Sequence, residues 1–314
     1  MPIDPQIEAM LAGAPAWPPV STMPVDELRK NVRASSLAFP PLDVPLANIV
    51  DTAIEGPGGS IPLRIYTPQG EGPFPAIVYF HGGGWVVGDL DTQDMIARAL
   101  AHGAQSVVVS VDYRLAPENP FPAAAEDAWA ATLWTAAHAG DINADSGLIA
   151  VAGDSAGANL AAGVALRARD AGTPKLAAQV MFYGSGNYPS EETASSQEFA
   201  NGPLLSREDV HYFWHQYLAN PATDQHHPLA SPIRAKSHAG LAPAYMGTAE
   251  VDPSRDDGER YAAKLEAAGV PVEMKRYAGM VHGFVSWIGM LPGAQQAMDD
   301  ACAFLKKHYT IARV

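Results

Sequence analysis

The chain has 314 residues, of which 47 % are hydrophobic and 17 % charged, enough apolar material for one large core. Its net charge of −14, from 20 basic and 34 acidic residues, argues against a nucleic-acid partner and against attraction to anionic membranes, because both need a basic face. A single cysteine, Cys302, excludes an intrachain disulfide and a cysteine-based metal site. Its apolar neighbours Ala301, Ala303, Phe304 and Leu305 predict a buried helix face. No basic stretch or apolar h-region opens the chain, and no apolar run reaches the ~20 residues of a membrane span, so a cytoplasmic location is expected.

Residues 1–46 differ in character from the remainder of the chain. Two amphipathic helix patterns, Pro5–Ala14 and Val25–Phe39, flank the proline-rich stretch 15–19 and stop at Pro40-Pro41. Two short helices bury too little surface to stand alone, so this segment is expected to pack on the main body. From about residue 48 strands and helices alternate. Ile49–Ile54 and Ile61–Tyr66 read as an antiparallel pair around Gly56-Pro57-Gly58-Gly59. Further strands are predicted at Ala76–Phe80, Ser106–Val111, Leu148–Ala152, Ala178–Tyr183, Ala244–Thr248 and Val272–Tyr277. Helices are predicted at Thr92–His102, Ala123–Ala139, Ala156–Ala171, Ser254–Ala268 and Gly293–His308. Strands that are apolar throughout, with helices between them, imply an α/β fold with a mostly parallel eight-stranded sheet covered on both faces. Residues 184–238 break the rhythm, being too long for a simple connection. They hold a polar loop, Ser190–Ser196, and an aromatic-rich helix, Arg207–Leu218. The expected organisation is a main domain of residues 47–183 and 239–314, with residues 1–46 and 184–238 forming a helical cap or lid.

Two motifs carry chemistry. Gly153-Asp154-Ser155-Ala156-Gly157 follows the strand Leu148–Ala152 and precedes a helix, which is the context of a nucleophile elbow. The chain turns there so sharply that the serine takes a strained backbone, and only small flanking residues fit. His81-Gly82-Gly83-Gly84-Trp85 follows the strand Ala76–Phe80, and such a glycine triplet supplies backbone N–H groups to a developing oxyanion. A serine nucleophile needs a base, and the base an orienting acid. His282, just after the last strand, meets the positional demand for the base. His211 and His215 stand four apart on a helix without an evident third metal ligand, so a surface pair is expected there. His226 and His227 read as loop residues and His308 as solvated. Glu250, Asp252, Asp256 and Asp257 are candidates for the acid. Asp252 lies where the strand has ended and the helix has not begun, a position that simple helix capping also explains. Asp256 and Asp257 are expected to face solvent.

Taken with Tyr113-Arg114-Leu115-Ala116-Pro117-Glu118, Asp252-Pro253-Ser254-Arg255-Asp256 and Val281-His282-Gly283-Phe284, the two motifs resemble those of the microbial hormone-sensitive-lipase family of α/β-hydrolase esterases. The pieces run in that family's order and span residues 50 to 310. The resemblance implies an α/β-hydrolase fold and a Ser155–Asp252–His282 triad. It also implies an oxyanion hole made by the N–H groups of Gly83, Gly84 and Ala156. A carboxylesterase acting on small-molecule esters of short or medium acyl chain, without cofactor or metal, follows from it. Ala158 and Ser254 depart from the family's usual glycine and leucine. Trp85, Phe213 and Trp214 are candidate pocket walls, and Arg114 and Glu118 are expected to form a structural ion pair or hydrogen bonds beside the site. The alternatives are an amidase or arylformamidase of the same fold, and a non-catalytic ligand receptor, against which His282 argues. An exposed edge at the last strand offers a homodimer contact.

Overall fold

The computed structural model describes residues 3–13, 18–184 and 186–313. Ala14, the end of the first predicted helix, and residues 15–17 of the proline-rich stretch lie outside the described residues. The elements in chain order are α1 (Pro5–Gly13), α2 (Val25–Leu37), β1 (Leu46–Gly56), β2 (Gly59–Pro68), β3 (Phe74–Phe80), α3 (Asp94–Ala104), β4 (Val107–Val111), α4 (Ala123–Ala137), β5 (Ala144–Asp154), α5 (Ala156–Ala171), β6 (Leu176–Phe182), α6 (Ala194–Glu198), α7 (Arg207–Tyr217), α8 (Pro221–Asp224), β7 (Ala244–Val251), α9 (Arg255–Ala267), β8 (Val272–Val281) and α10 (Pro292–Ala312).

The eight strands form one sheet in the order β1-β2-β4-β3-β5-β6-β7-β8. β1 and β2 are antiparallel and β2 joins β4 antiparallel, while every pairing from β4 to β8 is parallel. Alternation along β3 shows how both faces are used. Ile77 and Tyr79 pack with α3 and α10 on one side; Ala76, Val78 and Phe80 pack with α4 and α5 on the other. All five are fully buried. This is the α/β-hydrolase arrangement, in which parallel strands deliver their carboxyl ends to one rim. Ser155, Asp252 and His282 all follow strand ends at that rim.

Three expectations fail, the first two because a tertiary neighbour covers what local sequence leaves open and the third because of a local cap. His308 is buried rather than solvated. It lies on the inner face of α10 with Ala301, Phe304 and Leu305, and its ring meets Phe304 at 4.3 Å. Asp256 and Asp257 do not face solvent. The start of α6 folds over the first turn of α9, where Asp256 accepts a hydrogen bond from Ser195 N at 2.8 Å and Asp257 is buried. The polar stretch Ser190–Ser196 is not all loop. Thr193 and Ser196 form a reciprocal capping box that starts α6 within it.

α2 packs on the main body through Leu28, which with Met23 just before the helix joins Val86, Val87 and Ala116 in a small apolar cluster. α7 meets the same cluster through Tyr212 and Phe213.

Candidate active site

Ser155 sits at the turn from β5 into α5 with φ 51° and ψ −118°, a left-sided backbone that costs a non-glycine residue of order 1–3 kcal/mol. The residues two positions to either side have to be glycine. A Cβ at Gly157 would lie 1.9 Å from Phe80 O, and one at Gly153 would lie 2.3 Å from Gly157 O. The turn lifts Ser155 Oγ to within 2.8 Å of His282 Nε2. On the far side of the ring, His282 Nδ1 lies 2.7 Å from Asp252 Oδ2. Asp252 is completely buried, and its other oxygen accepts from Ser254 N at 2.7 Å. The carboxylate therefore contacts both the imidazole and the N–H of Ser254, the N-cap of α9. Simple helix capping does not explain Asp252: the N-cap stands two residues on, and Asp252 accepts that residue's own N–H instead of capping the helix. Glu250, its rival, points elsewhere: Oε2 accepts from Gly279 N at 2.8 Å.

Ala156 is the first residue of α5, so its N–H has no intrahelical acceptor and lies at the positive end of the helix dipole. Gly83 and Gly84 line the same cavity from the loop after β3, with φ 118° and 60°. Asp154 joins the two loops. Oδ1 accepts from Gly82 N at 2.8 Å and from Tyr79 Oη at 2.6 Å. Its burial pushes the carboxyl pKa up, against the pull of those two hydrogen bonds. Sequence reading passed over Asp154 and Tyr79. The available signal was an ionisable residue just after the apolar run Leu148–Ala152. His81 is no competing base. It stacks on Tyr113 at 4.3 Å, donates from Nδ1 to Gly82 O at 2.7 Å, and is held neutral by burial, which lowers its pKa to about 4.

The cavity over Ser155 encloses about 200 Å³. Trp85, Phe213 and Trp214 wall it, together with Leu205, Val210 and Tyr183. Trp85 lies flat on Tyr217 at 4.1 Å and meets Trp214 at 4.6 Å, so these aromatics both pack the core and bound the pocket. Phe213 presses on the glycine loop so closely that a Cβ at Gly84 would lie 2.3 Å from its ring. Gln93, Ser254 and Ser286 add polar edges. Arg114 and Glu118 do not pair with each other. Arg114 grips Asp127 at 2.8 Å, and Glu118 is held by Arg29 at 2.7 Å. Among the described residues, no group of three or more His, Cys, Asp or Glu is arranged to hold a metal ion; His211 is half-buried and His215 exposed on α7.

Asp257 gives the site's surroundings a pH dependence. Burial raises its pKa from 3.8 to about 7. Between those values the folded chain binds more protons than the unfolded one, so this residue lowers stability as pH climbs from about 4 to about 7. Asp257→Asn is expected to raise the melting temperature at pH 8 by about 3 °C or more and to change it little at pH 4. Thermal melts of both proteins at the two pH values check this; an equal shift at both sinks it.

A family profile described as the alpha/beta hydrolase fold matches residues 77–286. The chain is 47 % identical over 267 residues to Esterase LipI of Mycobacterium tuberculosis, covering 83 % of this chain and 82 % of that protein. It is 39 % identical over 315 residues to Carboxylic ester hydrolase LipN of the same organism, covering 98 % and 83 %. Among solved structures, a hyperthermophilic esterase from the archaeon Pyrobaculum calidifontis superposes with a TM-score of 0.91 at 40 % identity, over 98 % of this chain and 99 % of that one. Among the described residues, no helix is long and apolar enough to cross a membrane.

Proposed function

The chain belongs to the α/β-hydrolase esterases related to hormone-sensitive lipase, and from that premise we propose that this carboxylesterase cleaves short- to medium-chain acyl esters with Ser155 as nucleophile, His282 as base and Asp252 as the orienting acid. The observation that carries the reading is the unbroken hydrogen-bonded line from Ser155 Oγ through both nitrogens of His282 to a fully buried carboxylate. A buried, paired Asp252 stabilises the imidazolium that forms when His282 takes the serine proton. Attack on the ester carbonyl moves charge onto its oxygen, where the N–H groups of Gly83, Gly84 and Ala156 receive it, each contributing about 3 kcal/mol at the transition state. His282 then returns the proton to the leaving alcohol. A water activated by the same nitrogen releases the acid and restores Ser155.

Cavity size supports a small substrate. About 200 Å³ is below the usual ~300–1,000 Å³ of sites for drug-sized ligands. In this reading residues 1–46 and 184–238 form the cap over the 47–183 and 239–314 body, and α7 brings Phe213 and Trp214 to the acyl group. β8 ends the sheet, and its free edge is the place for two subunits to pair. A lone buried cysteine suits a reducing compartment, in keeping with the cytoplasm.

The direct test is a series of p-nitrophenyl esters from acetate to laurate, run beside N-formylkynurenine. Turnover is expected to peak at butyrate or hexanoate and to be far slower on N-formylkynurenine. Faster cleavage of N-formylkynurenine favours the arylformamidase reading instead, and a peak at laurate overturns the short-chain assignment.

A further inference from the structure

The backbone turn that carries Gly83 and Gly84 is tied down from two directions. Upstream, Gly82 N is bonded to Asp154, next to the nucleophile. Within the turn, Gly83 O accepts from both Val86 N and Val87 N at 3.0 Å. Downstream, Trp85 O accepts from Ala116 N at 2.8 Å, which stitches the turn to the loop after β4. The remaining tie comes from α2, in the N-terminal segment. Arg29 Nε donates to Val86 O at 2.8 Å, and Arg29 Nη2 donates to Ala116 O at 2.9 Å. Glu118 then accepts from both terminal nitrogens at 2.8 and 2.7 Å. One planar guanidinium thus spans both loops, and a carboxylate fixes its plane. Only the fork geometry of arginine makes all four bonds at once.

The turn has no slack to absorb a loosened end. A Cβ at Gly83 would lie 2.1 Å from Val87 O, so the Val87 backbone rests directly on Gly83, to which Val86 N is also bonded. A displacement there passes to the N–H groups of Gly83 and Gly84.

We propose that Arg29 is a positioning residue for the reaction: by holding Val86 O and Ala116 O it sets the aim of the Gly83 and Gly84 N–H groups, so that the N-terminal segment acts on the transition state through the backbone and not only by covering the pocket. The inference rests on the reading of those N–H groups as oxyanion donors. Complete loss of one such donor lowers kcat by about 10²–10³, and a misplacement of the order of 1 Å costs about 10².

The test uses Arg29→Ala and Arg29→Lys in the full chain. Rates are normalised to the Ser155 titrated by a fluorophosphonate, so that only folded, competent enzyme counts. Arg29→Ala is expected to lower kcat on p-nitrophenyl butyrate by about ten- to a hundredfold with KM within about threefold. It should weaken by a similar factor a trifluoromethyl ketone, whose adduct with Ser155 places an oxyanion at the same donors. Arg29→Lys keeps the charge but cannot reach both carbonyls and Glu118, and its kcat is expected to fall about fivefold; this arm carries the test if the alanine variant does not fold. A loss confined to KM, an unchanged ketone affinity, or wild-type kcat in the lysine variant overturns the proposal. Unchanged kcat in an enzyme that Ser155→Ala silences overturns the positioning alone, whereas activity surviving Ser155→Ala overturns the reading beneath it.

Discussion

Ser155→Ala is expected to reduce kcat on p-nitrophenyl butyrate by about 10⁴-fold or more while leaving the fold intact. The hydroxyl is the only oxygen within hydrogen-bond reach of His282 Nε2 among the described residues, at 2.8 Å. Alanine leaves the rest of the cavity in place, including the Gly83, Gly84 and Ala156 N–H groups, so some rate above that in water survives from oxyanion binding alone. Stability should hardly change. The turn at φ 51° is held by backbone bonds, Ser155 N to Phe182 O and Asn159 N to Ser155 O, and these do not involve the side chain. The measurement is steady-state kinetics beside a thermal melt. Retained turnover in a protein that melts like the parent would remove Ser155 from the mechanism and the serine-hydrolase reading with it.

A physical divide separates the features legible in the chain from those that only the structure reveals. Strand and helix order was legible because apolar periodicity is local, and the parallel sheet is implied by alternating elements whose strands are apolar throughout. The elbow was legible for the same reason: Gly153 and Gly157 are demanded by contacts within the turn and with the adjacent end of β3. His282 and Asp252 could be placed on loops because parallel strands present their carboxyl ends together. The hidden features depend on contacts far apart in sequence. Asp154 reaches Tyr79 across 75 positions, and Arg29 reaches Val86 across 57. No periodicity records either. Asp257 reads as an exposed first-turn acid until α6 is laid across the first turn of α9. His308 was the more avoidable miss, since it stands four residues after Phe304 on a helix face already apolar at Ala301 and Leu305.

Asp252→Asn tests the acid more sharply than its deletion, because the structure fixes how the amide would sit. Asp252 Oδ1 accepts from Ser254 N at 2.7 Å, and in the variant only the amide oxygen can keep that bond. The amide nitrogen must then face His282 Nδ1, where Asp252 Oδ2 now lies at 2.7 Å. Two N–H donors cannot bond to each other, so the imidazole moves its proton to Nε2 and turns a lone pair toward the amide. Nε2 then donates to Ser155 Oγ and can no longer take its proton. The imidazolium also loses its paired charge in a buried setting. A fall in kcat of about 10⁴-fold is expected, with KM changed much less. Glu250→Gln is the control, two residues away on the same strand end. Its partner is Gly279 N, which an amide oxygen satisfies equally well, so kcat should stay within about threefold of the parent. If the two variants exchange these outcomes, Glu250 is the acid and the hydrogen bond from His282 to Asp252 is a bystander to the chemistry.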